Sequence, residues 1–262
     1  MSSLKGKAAI VTGSTSGIGL GIAHALAAQG CNIMFNGFGD QKEIDKIVAD
    51  TAKQFSIKTA YSGADMSKPD QVVSMVKDTE KTFGSLDVLV NNAGIQFVAN
   101  IEDFPTEKWD AIIAINLSSA FHSMRAAIPG MKQRKWGRII NIASAHGLVA
   151  SPQKAAYVAA KHGLVGLTKV VALETATSGV TCNAICPGWV LTPLVQKQID
   201  DRAKKEGIEV AVAKKELLEE KQPSLEFVHV EELGALAVFL CSDGAAAMTG
   251  AALSMDGGWT AG

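Results

Sequence analysis

The sequence predicts a single α/β domain, a doubly wound parallel sheet of about seven strands with helices on both faces. Two observations support this fold class. Short apolar runs alternate with helical patterns along almost the whole chain, which is typical of parallel strands joined by crossover helices. A glycine-rich turn also separates the first apolar run from the first helical pattern. A length of 262 residues is ordinary for one domain in such folds.

The individual elements follow from these patterns. The predicted strands are Ala8–Val11, Asn32–Asn36, Lys58–Ser62, Val88–Asn91, Arg138–Ala143, Val180–Ile185 and Ala251–Met255. The predicted helices are Gly19–Gln29, Lys42–Gln54, Asp70–Phe83, Ala155–Thr177 and Val230–Ser242, with a long helix for which Thr106 is the N-cap and which ends near Arg134.

One segment, from Leu191 to Val228, departs from the alternation. It carries many charges and two helical patterns, and it follows Pro187-Gly188 at the end of a strand. Ligands of open α/β sheets bind beyond the carboxyl ends of the strands. An insertion there, over about 191–228, is therefore predicted to be a helical substrate lid. A solvated pair of surface helices is the alternative.

Composition and charge exclude several classes of partner. The net charge of −1 gives no field that would attract nucleic acid or an acidic membrane. We find no apolar run long enough to span a bilayer and no signal-peptide core at the start, so we expect a cytoplasmic protein. The four cysteines form neither a CxxC pair nor a Cys/His zinc pattern, which predicts reduced core residues and no metal.

The turn from Thr12 to Gly19 is predicted to hold a pyrophosphate. Its glycines permit a tight turn and a close approach of the backbone, and the following helix directs free N–H groups and its positive dipole end at an anion. A plain tight turn is the alternative. Strand-turn-helix context near the start of a βαβ pattern favours a dinucleotide.

The end of the second strand favours NAD over NADP. No Arg or Lys lies in Phe35–Asp40, and Ser16 rather than a cation precedes Gly17, so a 2′-phosphate would lack a counter-charge. The usual acidic residue is also missing, and Asn36 takes its place. After the third strand, the Asp65 carboxylate either accepts a hydrogen bond from the adenine amine or caps the following turn.

Five motifs together carry a resemblance to a known family. Thr12-Gly-x-x-x-Gly-x-Gly19, Asn91-Asn92-Ala93-Gly94, Asn116, Ser144 and Tyr157-x-x-x-Lys161 resemble the short-chain dehydrogenase/reductase family in order and spacing, over essentially the whole chain. The resemblance implies a Rossmann-type fold and hydride transfer to a nicotinamide cofactor.

The catalytic residues predicted are Ser144, Tyr157 and Lys161, with Asn116. Tyr157 and Lys161 are one helical turn apart and so share a face. We expect the lysine ammonium to lower the pKa of the phenol by up to about 3 units, so that Tyr157 exchanges a proton with the substrate. Ser144 ends a strand and is expected to bind the reacting oxygen. The resemblance implies that Asn116 interrupts its helix, so that its carbonyl holds a water that relays protons through Lys161.

Most of the cofactor site follows from the same resemblance, which places Asn92–Gly94 beside the ribose and Thr192 at the nicotinamide carboxamide. The predicted cofactor-binding residues are Gly13, Thr15, Ser16, Gly17, Ile18, Gly19, Phe38, Asp65, Met66, Asn92, Ala93, Gly94, Tyr157, Lys161, Pro187, Gly188, Trp189, Val190 and Thr192. The resemblance assigns Asp256-Gly257-Gly258 to a structural turn rather than to the site.

The residues around the reacting centre suit a small carboxylate. Lys154 would supply charge, several polar groups would supply donors, and two tryptophans would enclose a short carbon chain. The predicted substrate-binding residues are Gln96, Ser144, His146, Lys154, Tyr157, Trp189, Gln198 and Trp259. A solvated Lys154 and a His146 bonded only to backbone are the alternatives for those two residues.

Four runs resemble the 3-hydroxybutyrate dehydrogenases of that family, namely Asn141–Val149, Glu220–Ser224, Phe104–Asp110 and Gly257–Thr260. This resemblance implies reversible NAD-dependent oxidation of D-3-hydroxybutyrate to acetoacetate. The alternatives are a 3-oxoacyl-carrier-protein reductase or another small-hydroxy-acid dehydrogenase of the family, and a non-catalytic protein that senses NAD. Family resemblance also implies a homotetramer, with Thr106–Arg134 and Ala155–Thr177 paired at one interface and the last strand at another.

Overall fold

The strands form one parallel sheet in the computed structural model, which describes residues 4–262. They are β1 (Ala8–Val11), β2 (Asn32–Asn36), β3 (Thr59–Ser62), β4 (Val88–Asn91), β5 (Gly137–Ile142), β6 (Val180–Pro187) and β7 (Ala252–Met255). The seven described strands lie in the order β3-β2-β1-β4-β5-β6-β7, with every neighbouring pair parallel. The predicted doubly wound fold is confirmed. The chain reverses its direction of winding between β1 and β4, which opens a crevice at their carboxyl ends.

The helices connect these strands on both faces. They are α1 (Gly17–Ala28), α2 (Gln41–Phe55), α3 (Pro69–Phe83), α4 (Thr106–Ile113), α5 (Ser119–Arg134), α6 (Ala155–Thr175), α7 (Pro193–Glu206), α8 (Val210–Glu219) and α9 (Val230–Cys241). Most predicted boundaries differ from these by one or two residues. Thr106 is the first helical residue rather than the N-cap, because Pro105 takes the cap position with extended backbone.

Each face of the sheet has its own apolar core. On β4, Val88 and Val90 belong to the cluster under α1, α2 and α9, whereas Leu89 belongs to the cluster under α3, α5 and α6. Side chains alternate between faces along a strand, so a strand covered on both sides is apolar throughout. The continuous apolar runs of the sequence are a direct result of this double covering.

Two stretches contradict the expectation that no segment is long and apolar enough for a bilayer. Thr106–Arg134 and Ala155–Thr175 meet that criterion by length and composition. In the fold both lie against the sheet, where Met124, Met131 and Leu164 are buried in its core. Their apolar character is therefore explained, at least in part, by packing within the domain.

The long helix predicted from Thr106 to Arg134 is not continuous. Between α4 and α5, residues Ala114–Ser118 form a π-helical segment with Asn116 at its centre. A π segment contains one residue more than the corresponding α-helical turn, so nearby backbone N–H and C=O groups are not in the register of a regular α-helix. The interruption that the family resemblance implied at Asn116 is present.

The segment after β6 forms a separate small unit. Helices α7 and α8 share their own apolar cluster, which includes Ile199, Ala213 and Phe227. Arg202 of α7 also contacts three carboxylates, those of Glu206 at 3.2 Å, Glu216 at 3.1 Å and Glu220 at 2.7 Å. Because this unit has its own apolar core, its two helices can be treated as one rigid unit.

The glycine-rich turn between β1 and α1 has no room for a side chain at Gly19. A Cβ there would lie 2.3 Å from the carbonyl oxygen of Gly13 and 2.5 Å from Nδ2 of Asn92. The Asn92 amide donates to the carbonyls of Thr12 and Gly13, so it is fixed in place. Helix α1 can approach β1 this closely only with glycine at position 19.

We expect Gly19→Ala to lower the free energy of unfolding by about 1–3 kcal/mol, because the added methyl group overlaps fixed backbone. Urea and thermal unfolding followed by circular dichroism measure this. Gly244→Ala is the matched control, since a Cβ at Gly244 has 3.5 Å to its nearest neighbour, Oγ of Ser242. Equal stability of the two variants would contradict the close approach.

Candidate active site

Two adjoining cavities occupy the carboxyl edge of the sheet. The smaller has a volume of about 160 Å³ and the larger about 420 Å³. Both are lined by Ile18, Asn92, Gly94, Ile95 and Thr192, so the cavities meet along these residues. This edge is where the fold predicts a ligand site.

The structure brings the predicted substrate residues together. The smaller cavity is lined by all of the predicted set: Gln96, Ser144, His146, Lys154, Tyr157, Trp189, Gln198 and Trp259. The larger cavity is lined by the glycine turn and the ends of β2, β3 and β4, including Phe38, Asp65, Met66 and Ala93. The remaining predicted cofactor residues, Pro187, Gly188, Val190 and Lys161, line the smaller one.

Sequence reasoning missed several lining residues. Those of the larger cavity are Gly37, Ala64, Ile95, Ile115 and Pro193, and those of the smaller are Ile95, Ile142, Ala143 and Val195. Nearly all of them are within two positions of a predicted residue. Apart from Gly37, they have apolar side chains that resemble core residues, so only their proximity to a motif would have identified them.

The glycine turn fits a phosphate-bearing cofactor. Ser16 has extended backbone at the N-cap of α1 and makes no side-chain capping bond, and the first turn of α1 contains no acidic residue. Gly13 and Gly17 have φ of +62° and +55°, which glycine adopts without strain. The N-terminus of α1 therefore faces the larger cavity with uncapped N–H groups, which is an anion-binding arrangement.

Asn36 has a structural role at the end of β2. Its Oδ1 accepts from the backbone N–H of Gly13, and its Nδ2 donates to the carbonyls of Ser62 and Ala64. The side chain is buried, and these bonds engage both its oxygen and its nitrogen. Asn36 therefore fixes the glycine turn, and it is not free to replace the missing acidic residue.

Asp65 caps the turn that follows β3, one of the two alternatives left open by the sequence. Its Oδ1 accepts from the hydroxyl of Ser67 at 2.7 Å and from the N–H of Ser67 at 2.8 Å. These two bonds lower the pKa of the Asp65 carboxyl below its ordinary value. Asp65 also lines the larger cavity, so capping does not remove it from that cavity.

Three groups with reactive chemistry meet at the floor of the smaller cavity. The Lys161 amine lies 5.6 Å from the centroid of the Tyr157 ring and donates to the carbonyl of Ile142 at 2.7 Å. The Ser144 hydroxyl lies close enough to the Tyr157 side chain to act on the pKa of its phenol. Tyr157 and Lys161 thus share one face of α6, next to the end of β5 where Ser144 lies. Lys161 is 3% exposed and Ser144 is 8% exposed.

The expected lowering of the tyrosine pKa is wrong for the protein alone. Burial raises the pKa of Tyr157 above its ordinary value, and the nearby Ser144 hydroxyl opposes this only in part. Burial also lowers the pKa of Lys161 to about 8. A low-dielectric environment disfavours both the phenolate and the ammonium, and here burial is the largest cause of both shifts.

Asn116 connects the π segment to the loop after β4. Its Oδ1 accepts from the N–H of Ile95 and its Nδ2 donates to the carbonyl of Ile95, both at 2.9 Å. This pair of bonds holds the backbone of Ile95 where the two cavities meet. The side chain of Asn116 is therefore engaged, whereas the predicted role of its carbonyl stays a prediction.

Aromatic rings enclose the smaller cavity. The ring of His146 lies 4.9 Å from that of Trp259 and 5.9 Å from that of Tyr157, both edge-on, and Trp189 lies 5.9 Å from Trp259. The Lys154 amine lies 5.2 Å from the centroid of the Trp189 ring. An ammonium over an aromatic face is stabilised by the ring quadrupole.

Burial and neighbouring cations determine the charges in this cavity. Burial lowers the pKa of His146 to about 3, with a further contribution from Lys154, so the imidazole is neutral at pH 7. Burial also lowers the pKa of Lys154. Lys154 forms no ion pair within residues 4–262, so it has no carboxylate partner of its own.

The segment 191–228, which the sequence predicts to be a lid, is tied to the cavity wall through Trp189. The N–H of Trp189 donates to Oε1 of Gln222 at 2.7 Å, and its carbonyl accepts from the N–H of Val228 at 2.9 Å. Val190 and Val228 form a parallel bridge. Gln222 is 1% exposed, so this connection is part of the interior.

Comparison with known proteins places these features in a family. Residues 13–260 match the family model described as "Enoyl-(Acyl carrier protein) reductase". The chain is 66% identical to a D-beta-hydroxybutyrate dehydrogenase of Cupriavidus necator, covering 98% of this chain and 99% of that protein. It is 57% identical to one of Rhizobium meliloti, over 97% and 99% respectively. A 3-oxoacyl-[acyl-carrier-protein] reductase of Staphylococcus aureus is 34% identical, over 96% and 97%.

Solved structures give the same assignment. A variant of actinorhodin polyketide ketoreductase, crystallised with NADPH, superposes with a TM-score of 0.91 and 31% identity over 99% of both chains. Levodione reductase superposes with a TM-score of 0.90 and 29% identity over 98% of both chains. The chain also has the glycine-rich turn, and its serine, tyrosine and lysine gather at one cavity. It is therefore an oxidoreductase that uses a nicotinamide cofactor, and it belongs to the short-chain dehydrogenase/reductase family.

Proposed function

We propose that this protein is an NAD-dependent D-3-hydroxybutyrate dehydrogenase, which oxidises D-3-hydroxybutyrate reversibly to acetoacetate. The observation that carries the proposal is the smaller cavity. It presents Ser144, Tyr157 and Lys161 beside Lys154, a cation without a carboxylate partner in residues 4–262. The two D-beta-hydroxybutyrate dehydrogenases that resemble the chain over nearly its whole length support it further, and they alone supply the enantiomer.

The catalytic groups have complementary roles in this reaction. The nicotinamide cofactor, when bound, supplies the hydride acceptor. Ser144 Oγ accepts from the N–H of His146 at 3.1 Å, which leaves the hydroxyl proton of Ser144 for the oxygen of the substrate. Tyr157 then takes the alcohol proton as general base. Asn116 is proposed to take part in proton relay through its backbone carbonyl.

Lys161 makes proton transfer to Tyr157 possible. Because burial raises the pKa of the phenol, a neighbouring positive charge is needed to stabilise the phenolate as it forms. With a pKa of about 8, the Lys161 amine is mainly protonated at pH 7, and the carbonyl of Ile142 holds it beneath the tyrosine ring. We therefore assign to Lys161 the stabilisation of a transient phenolate rather than a permanently ionised tyrosine.

The substrate carboxylate is proposed to lie against Lys154, with donors from Gln96, His146 and Gln198. A buried carboxylate requires a cation and several hydrogen bonds, which these residues can supply. Trp189 and Trp259 enclose the short carbon chain. The enclosure of this cavity by tryptophans, and its small volume of about 160 Å³, favour a four-carbon acid over the acyl chain of a carrier-protein substrate.

NAD is proposed as the cofactor because the larger cavity contains no cation for a 2′-phosphate. Among its described lining residues the one charged side chain is Asp65, which would repel such a phosphate. Asn36 is engaged with backbone, and Phe38 presents an apolar, 67% exposed side chain beside it. The glycine turn and the N-terminus of α1 are proposed to hold the pyrophosphate.

A cytoplasmic homotetramer without nucleic-acid or membrane partners is proposed for the assembly. Leu173 on α6 is 81% exposed, Val170 is 49% exposed and Phe121 on α5 is 44% exposed. Large exposed apolar side chains on two neighbouring helices are typical of a subunit interface. The unit α7–α8 is proposed to close over the smaller cavity as a lid.

The wild-type protein should reduce NAD in the presence of D-3-hydroxybutyrate, whereas Tyr157→Phe should show no turnover above background. The phenol acts on the proton, so the variant should bind NADH with an affinity within about threefold of wild type. Absorbance of the reduced nicotinamide and NADH fluorescence titration measure the two quantities. Substantial turnover by Tyr157→Phe would assign the base to another residue. Activity of the wild-type protein with other short hydroxy acids, but not with D-3-hydroxybutyrate, would reject the proposed substrate.

Lys154→Ala should reduce kcat/KM for 3-hydroxybutyrate by about 10- to 100-fold, the range expected for losing one half-buried hydrogen bond to a charged group. The loss should be much smaller for 3-hydroxybutyramide, which has no charge. Lys214→Ala is the matched control, since the Lys214 amine lies over the Phe227 ring, also at 5.2 Å, but outside the cavity lining. A loss below about threefold for the acid would remove Lys154 from the substrate site.

Phe38→Arg should raise kcat/KM with NADPH relative to NADH by at least about tenfold, because the guanidinium would supply the counter-charge for a 2′-phosphate. Initial rates of acetoacetate reduction with each cofactor measure the ratio. Val210→Arg serves as control, since it places the same charge on an exposed apolar position of α8. An unchanged ratio in Phe38→Arg would mean that the ribose lies elsewhere.

A further inference from the structure

His146 has one ring nitrogen engaged and one free. Its Nε2 lies 2.9 Å from the hydroxyl of Ser151, whereas Nδ1 makes no hydrogen bond with any residue from 4 to 262. The residue is 4% exposed and lines the smaller cavity. Nδ1 is therefore the nitrogen that remains for a ligand in that cavity.

The orientation of the imidazole is fixed by its neighbours. The ring packs edge-on against Trp259 and Tyr157, and the backbone N–H of His146 donates to Ser144 Oγ. The ring contacts fix the plane of the imidazole, and a 180° flip within that plane would break the bond of Nε2 with the Ser151 hydroxyl. Which of the two ring nitrogens carries the proton then determines whether Nδ1 donates or accepts a hydrogen bond.

A carboxylate accepts hydrogen bonds and donates none. A neutral imidazole carries one donor and one acceptor nitrogen, so it binds a carboxylate only through the nitrogen that bears the proton. If Nδ1 bears the proton, Nε2 must accept, and it then needs a donor. The Ser151 hydroxyl is the donor in reach, because a hydroxyl can rotate to donate or to accept.

We propose that Ser151 is a positioning residue that holds His146 in the tautomer protonated on Nδ1, so that the neutral ring donates a hydrogen bond to the substrate carboxylate. The proposal rests on the proposed function, since it assigns the carboxylate of that substrate to this nitrogen. It explains how a ring beside Lys154 recognises an anion without carrying a charge. Burial and Lys154, which lower the pKa of His146 to about 3, keep the ring in the neutral form that the proposal needs.

Nitrogen-15 NMR of the full-length labelled protein tests the tautomer directly. The protein contains five histidines, and the spectrum of His146→Asn identifies the signals of His146 by their loss. Spectra are recorded for the free protein and for its complex with oxidised NAD and acetoacetate, a pair that cannot react. We expect Nδ1 to be protonated and Nε2 unprotonated in the complex. Ser151→Ala should shift the free protein towards protonation on Nε2, and Ser151→Thr, which keeps the hydroxyl, should not.

Kinetics provides the second readout. Ser151→Ala should raise KM for 3-hydroxybutyrate about three- to tenfold with a smaller change in kcat, and leave KM for 3-hydroxybutyramide within about twofold, because an amide can donate as well as accept. Ser151→Thr should restore KM. Ser178→Ala is the remote control, since the Ser178 hydroxyl donates to the carbonyl of Thr175 at the end of α6.

The outcomes separate this proposal from the proposed function. Protonation on Nε2 in the wild-type complex, or an unchanged tautomer and KM in Ser151→Ala, would overturn the role of Ser151 while leaving the dehydrogenase activity intact. An equal rise in KM for the acid and the amide would indicate a merely structural role and would also overturn it. Absence of any turnover of 3-hydroxybutyrate by the wild-type protein would instead reject the proposed function.

Discussion

The chemistry of this site depends on the burial of a phenol and an amine in the same small volume. Burial raises the pKa of Tyr157 and lowers that of Lys161, so each group alone would be neutral more readily than in water. In the proposed mechanism Lys161 stabilises the phenolate as it forms, while the Ser144 hydroxyl acts on the tyrosine and the carbonyl of Ile142 holds the lysine amine in place. Such preorganised partners act strongly where water is excluded.

The sheet supplies the precision for this arrangement. Ser144 follows β5 and lies beside Tyr157 of α6, and Ile95, which follows β4, is held by Asn116 of the π segment before α5. Side chains on rigid elements are placed more exactly than those on loops. The wall formed by Trp189 is different, since its backbone is bonded to Gln222 and Val228 of the lid segment. The ends of the sheet strands and the segment proposed to close as a lid therefore meet at Trp189.

Much of this could be predicted from sequence, because apolar periodicity and short motifs are local signals. The parallel doubly wound sheet, the gathering of Ser144, Tyr157 and Lys161, and the convergence of Gln96, His146, Lys154 and Gln198 all agree with expectation. The pKa of Tyr157 did not, since burial depends on packing from distant elements that a helical spacing does not report. The same holds for Asn36, whose partners Ser62 and Ala64 lie at the end of the neighbouring strand β3 and just beyond it. The expectation that no segment could span a bilayer was wrong for a related reason, since Thr106–Arg134 and Ala155–Thr175 are long and apolar partly because they pack against the sheet.

The length of the π segment Ala114–Ser118 determines whether Asn116 can hold Ile95. It accommodates one more residue than a regular helix of the same span, while α5 beyond it keeps Ser123 and Met124 buried against the sheet. Removal of a single residue from this segment would allow α4 and α5 to merge into one regular helix with the downstream packing unchanged. The hold of Asn116 on Ile95 would disappear with it. One residue of chain length in this segment therefore decides whether Asn116 stays bonded to Ile95 between the two cavities.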